Sequence, residues 1–319
     1  MSTNVHHTLL TALCAAALFA STATLTQAQD AAAPDQTEIS SFAAEKAPPA
    51  FDTPEKGIDA FKGALAANDF DGLAALFGLD AAKLKADENS KNTFDQIRDG
   101  TAKRLVVQDL GDRKLLQIGD KLWPLPFPLV KDDDGKWYFD TYAGLEEIVN
   151  RRIGENELQA IATLREYVDA QNDYAAEDRD GDGVLEFAQK LISSEGKTDG
   201  LYWPPEQGAG ESPAGGFVND AELEDASKGE GYFGYKFRII TGQGDRIAGG
   251  AYDYIINDNM IAGFALIAWP VNYAETGVKT FLVNQQGIVY EADLGDSTED
   301  IVKYIDRFNP DDKWSIAGD

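Results

Sequence analysis

Oxygen-bearing side chains recur at alternate positions in the segment DRDGDGVLE: Asp178, Asp180 and Asp182, followed by Gly183 and Glu186. Carboxylates at every second position around a glycine turn suit a hard cation, and the spacing matches the first half of an EF-hand loop. The position that would supply the closing bidentate Glu holds Gln189, an uncharged amide. The segment therefore reads as a weak Ca2+ site built from Asp178, Asp180, Asp182 and Glu186, or more simply as a solvated acidic turn after a helix. No cofactor is required by any other pattern.

A second constellation is Asp199-Gly200-Leu201-Tyr202-Trp203-Pro204-Pro205. Exposed, Tyr202 and Trp203 would stack on a sugar or grip a peptide; turned inward, they would close the loop over the core. Arg151 and Arg152 stand out in an acidic chain and could clamp a carboxylate or phosphate. Pairing with Glu146, Glu147 or Glu155 is the plainer use for them. Carboxylates are too numerous for a glycosidase-like pair to be singled out. The turns Gly242-Gln243-Gly244 and Gly249-Gly250 lack the strand–loop–helix setting of a phosphate loop. No catalytic residue is assigned.

The amino terminus narrows the chemistry further. Thr8 to Ala20 is an uncharged apolar run, followed by small residues ending in Thr26-Gln27-Ala28. This is the pattern of a secretory signal over residues 1–28, cut after Ala28, and it predicts a periplasmic or secreted protein. Cys14 follows Leu13, where a lipoprotein signal needs a small residue, so lipidation is not expected. Cys14, His6 and His7 are the chain's only Cys and His, and they leave with the signal. The mature chain then has no disulfide, no Ser-His-Asp or Cys-His nucleophile system and no His/Cys zinc site. Asp and Glu total 55 against 28 Lys and Arg, a net charge of −27. Such a field repels phosphate backbones and anionic headgroups, which argues against nucleic acid and stable membrane insertion.

The elements that must position these residues fall into an α+β pattern. Residues 29–50 are rich in Ala, Pro, Ser and Glu and read as a flexible tether. An N-terminal domain over 51–142 opens with Thr53 as N-cap and Pro54 at the first helical position, with Ile58, Phe61 and Leu65 on one face. Helices around Phe70 to Phe77 and Lys91 to Arg98 follow. Then come the strand signals RLVVQDL, KLLQIGD, LWPLPFPLV and KWYFDT, the last two joined by a turn at Asp132 to Gly135. Pro124, Pro126 and Pro128 confine their segment to an edge or an extended crossing. Helices first and antiparallel strands after resemble the cone-shaped nuclear transport factor 2-like fold.

A C-terminal domain over 143–319 begins with a connecting helix, Ala143 to Arg152, stopped by Gly154. A long helix follows, capped by Asn156 with Gln159, its apolar stripe formed by Leu158, Ile161, Leu164 and Val168. Strand signals YFGYKFRIIT, GAYDYIIN, IAGFALIAWP and TFLVN-QQG-IVYEA then predict an antiparallel sheet packed on that helix.

The strings FDTYAGLEEIVNRRIGENELQAI, DGLYWP, GGAYDYIIN and GFALIAWPVNYAETGVKTFLVN occur in this order. Through them the chain from about Pro54 to Trp314 resembles the domain of unknown function 2950 family, exported proteins of Gram-negative bacteria. The resemblance implies export and a shared fold, and carries no catalytic residues across. Asn156 to Leu294 is also similar, more loosely, to the globular heads of type II secretion pseudopilins, giving a pilin-like expectation for this half. The polar helix start GENELQ and the lack of a prepilin peptidase site before it depart from that pattern. Together these features predict an envelope protein that binds or scaffolds, its partner an envelope protein or cell-wall ligand. The alternative is a His-free hydrolase using carboxylates.

Overall fold

The computed structural model describes residues 39–86, 89–179, 181–207 and 210–318. The signal segment and Asp180 of the acidic loop lie outside the described residues. The chain divides into two compact units between Glu155 and Asn156, further along than the expected boundary after residue 142.

The first unit begins earlier than Phe51. Ile39–Phe42 forms a 3-10 turn, Phe42 is buried, and Ala43 bridges Leu79. Of the segment 29–50 expected as a tether, the part from 39 on is described, and its one aromatic, Phe42, is buried in the core of the first unit. Helix α1, Pro54–Ala66, starts where the sequence places it, with Thr53 Oγ1 accepting from the Lys56 amide at 3.5 Å and Ile58, Phe61 and Leu65 buried. Helix α2, Phe70–Leu76, is capped by Asp69, and α3, Ala81–Lys85, by Asp80. Helix α4, Ser90–Lys103, buries Phe94 and Ile97.

Five antiparallel strands follow: β1 Leu105–Asp109, β2 Arg113–Ile118, β3 Trp123–Pro124, β4 Leu129–Lys131 and β5 Trp137–Phe139. Their order is β1-β2-β4-β5, with β3 paired to β2. Proline cannot donate to a ladder, and accordingly the proline-rich segment pairs only briefly, through Gln117↔Pro124 and Ile118↔Trp123. The core centres on Phe77, which stacks on Phe127 with ring centroids 4.5 Å apart and meets Phe139 edge-on at 5.2 Å.

Helix α5 runs unbroken from Thr141 to Tyr174, 34 residues. Gly154 does not stop it. A mid-helix glycine costs only about 1 kcal/mol, and burial of Ile148 and Val149 before it and of Ala160, Ile161 and Leu164 after it outweighs that cost. Asn156 is therefore no cap: its Nδ2 donates to the Thr276 carbonyl at 2.8 Å. Leu158, expected on the apolar stripe, is exposed.

In the second unit, helix α6 covers Asp220–Ser227 and α7 Thr298–Val302. The strands are β6 Tyr235–Ile240, β7 Gly242–Gln243, β8 Tyr252–Asp253, β9 Ile255–Ile256, β10 Asn259–Met260, β11 Ala265–Pro270, β12 Lys279–Asn284, β13 Tyr290–Asp293 and β14 Ser315–Ile316. The main sheet has the order β14-β13-β12-β11-β6, antiparallel throughout. Every residue of β11 is buried, as a central strand covered on both faces requires. Ala160, Leu164, Tyr167 and Ala170 of α5 share one core with Leu266, Phe281 and Val283 of the sheet. Among the described residues no helix is long and apolar enough to cross a membrane.

Candidate functional site: an apolar cleft in the second unit

One face of α5 carries Thr163, Glu166, Tyr167 and Ala170, spaced so that all four share one side of a helix. They line a cavity of about 380 Å³. Strand β6 contributes Tyr235, Lys236 and Phe237, α6 contributes Leu223 and Ala226, and two loops close the rest with Leu191, Tyr202 and Phe217. A volume in this range with mostly apolar walls and few polar groups is the usual form of a small-ligand pocket.

The loop that brings Tyr202 to the cleft is well tied. Tyr202 donates its amide to the Leu191 carbonyl at 2.9 Å, and Ser193 returns a bond to the Tyr202 carbonyl at 2.8 Å. Gly200 is needed there, because a Cβ would lie 2.8 Å from the backbone of Ile192 and Ser193. Asp199 holds the turn through Lys190 Nζ, the Ser194 amide and the Ser194 hydroxyl. Burial pushes its carboxyl up, but the Lys190 ammonium and the Ser194 donors outweigh that and hold it at about 2. Burial raises the Tyr202 phenol, as does Asp220, which accepts from its hydroxyl at 3.3 Å.

Tyr202 and Trp203 part company. They lie in extended chain, with Ile192 and Tyr202 bridged in parallel, and successive side chains of extended chain point to opposite sides. Tyr202 lines the cleft, while Trp203 is only 2% exposed. Trp203 packs under the Arg179 guanidinium, 5.6 Å from the ring centre. Of the two alternatives for this pair, the inward one holds for Trp203, which is a core residue and not a ligand-binding one.

The polar members of the cleft differ in how they are satisfied. Lys236 Nζ pairs with Glu299 at 3.0 Å, and Trp269 Nε1 donates to the same oxygen at 2.8 Å. The Tyr232 hydroxyl accepts from the Asn219 amide at 3.1 Å. Glu166 has no hydrogen bond or ion pair among the described residues. Burial raises its carboxyl above the ordinary range, and Asp169, one turn on, adds to the rise. Burial also raises the Tyr232 phenol, with Glu166 among the contributing charges.

The remaining candidates lie elsewhere. Arg151 and Arg152 belong to the first unit. Arg151 Nε pairs with Glu147 at 2.8 Å and its guanidinium lies 5.1 Å from the Trp123 ring centre, the pairing that its own helix offers. In the acidic loop, Asp178 accepts from the amides of Gly181 and Gly183. Asp182 accepts from the Val184 amide and from Asn259 Nδ2, and Glu186 from the Met260 amide. Gln189, at the closing position, donates its amide to the Asp258 carbonyl at 2.6 Å. Among the described residues no group of three or more Asp, Glu, His or Cys is placed to hold a metal, and none of Asp178, Asp182 or Glu186 lines the cleft.

Sequence reasoning missed Glu166, Leu223, Tyr232 and Phe237. The available signal was a carboxylate between the small residues Thr163 and Ala170 on one helical face, a pattern easily read as solvent-facing.

Fold and cleft together define an α+β protein of two units, each built on an antiparallel sheet, the second holding an apolar pocket. The family described as protein of unknown function (DUF2950) matches residues 49–317, and the chain belongs to that family. No match was found among curated proteins, and none among solved structures.

Proposed function

We propose that the protein acts by binding, and that its ligand places an apolar body in the cleft between α5, β6 and α6. The observation that carries this reading is the cavity itself: about 380 Å³ of space in a region where cores otherwise close to crystal-like density. Its lining joins Tyr202, one of the residues singled out from sequence, to Tyr232 and Phe217. We read the chain as an exported envelope protein, its acidic surface and the signal pattern over 1–28 supporting that placement. The nuclear transport factor 2-like likeness of the first unit rests on element order, and the pilin-like likeness of the second on its helix, the acidic loop, the GYKFRI strand and the closing GVKTFLVNQQGIVY hairpin. The hydrolytic alternative needs two carboxylates, and among the described lining residues only Glu166 carries one.

The test is direct. The mature protein should bind a neutral alkyl ligand such as decanol with one site per chain. Ala226→Trp, which fills the cleft from α6, should weaken that binding at least tenfold while leaving the circular dichroism spectrum unchanged. Equal binding by the variant would place the ligand elsewhere.

A further inference from the structure

Glu166 is the cleft's unanswered charge. The other charged lining residue, Lys236, is already paired with Glu299, so no cation of the described chain serves Glu166. A carboxylate partly withdrawn from water without a partner is costly, and the surrounding chain, at −27, disfavours a second anion there. Tyr202, Tyr232 and Phe237 line the same space, and aromatic faces attract cations. Resting on the apolar-cleft reading above, we propose that the ligand is a small amphiphilic amine whose protonated nitrogen pairs with Glu166 while its apolar body fills the cleft. One carboxylate calls for one positive charge, so the class is a monoamine with an alkyl or aryl body, not a polycation.

The experiment uses three probes that share one body and differ in head: decylammonium and decanoate below their micelle concentrations, and decanol below its solubility limit. Calorimetric titration of the mature chain at pH 8 should show decylammonium binding at least tenfold more tightly than decanol, with decanoate weakest. Glu166→Gln should erase the preference for the ammonium over decanol. This variant alters the net charge by only one, so a preference due merely to the acidic surface would survive it. Thr163→Lys, which places an ammonium one helical turn before Glu166, should remove the preference by the opposite route. A preference that persists in both variants, or three heads bound equally by the wild type, overturns the amine assignment while the apolar cleft stands. Failure of decanol to bind, or its indifference to Ala226→Trp, overturns the cleft reading itself.

Discussion

Glu166 illustrates how a side chain can be set against the stability of its own fold. Its carboxyl is raised by burial and then by Asp169, so the folded protein holds a proton there at pH values where the unfolded chain has lost it. Stability on this account falls as pH rises from the ordinary carboxylate range through the raised value, and the penalty is complete above it. The groups around Glu166 do not relieve it: Asp169 carries the same sign, Tyr232 stays neutral, and Lys236 is committed to Glu299. Glu166→Gln should therefore raise the melting temperature at pH 8, and the gain should shrink as pH falls and vanish below the ordinary carboxylate range, when both chains are neutral at this position. A stability gain that is independent of pH would show that shape rather than charge is responsible. Glu166 was hard to find from sequence for a related reason. A glutamate on a long polar helix reads as a solvated face, and Tyr232 and Phe237, which line the same cleft, come from a segment far along the chain. Tyr202 was legible because its Gly/Pro setting marks it, whereas the fate of Trp203 beside it depended on which side of the extended chain faced the core.

At the scale of elements, the parts read best from sequence were those with local punctuation. Thr53-Pro54 sets the start of α1; the turn at Asp132 to Gly135 joins β4 to β5 in the register Lys131↔Trp137. Helix α5 was read as two helices because Gly154 and Asn156 look like a stop and a start, and only burial on both sides of that point decides otherwise. Two glycines of this helix lead to opposite predictions. At Gly154 an added Cβ meets nothing within 4 Å, so Gly154→Ala should stabilise the protein by about 0.5–1 kcal/mol through helix propensity alone. At Gly144 the same Cβ would lie 1.9 Å from Phe127 Cδ1, and Phe127 is stacked on Phe77. Gly144→Ala should destabilise by about 1–3 kcal/mol, the usual cost of overpacking. Urea denaturation of the two variants checks both signs, and stabilisation by Gly144→Ala would mean that the Phe77–Phe127 stack yields freely.

For the whole molecule the governing quantity is the charge of −27. Its ion pairs are mostly exposed, as in Lys56–Asp52 with both side chains about 60% accessible, and such pairs contribute little. The larger effect is the mutual repulsion of excess carboxylates, which is stronger in the compact folded chain than in the expanded unfolded one. Salt shortens the reach of that repulsion, the screening length falling from about 30 Å at 0.01 M to about 8 Å at 0.15 M. Raising sodium chloride across this interval should therefore raise the melting temperature. A relief of about 1 kcal/mol corresponds to roughly 2–4 °C. The same screening should weaken decylammonium binding and leave decanol binding unchanged, because only the charged head feels the field. Stability and amine affinity are thus expected to move in opposite directions with salt. A melting temperature that falls over this interval would mean that ion pairs, not carboxylate repulsion, dominate the electrostatics of the fold. An amine affinity indifferent to salt would place the bound nitrogen beyond the reach of both Glu166 and the acidic surface.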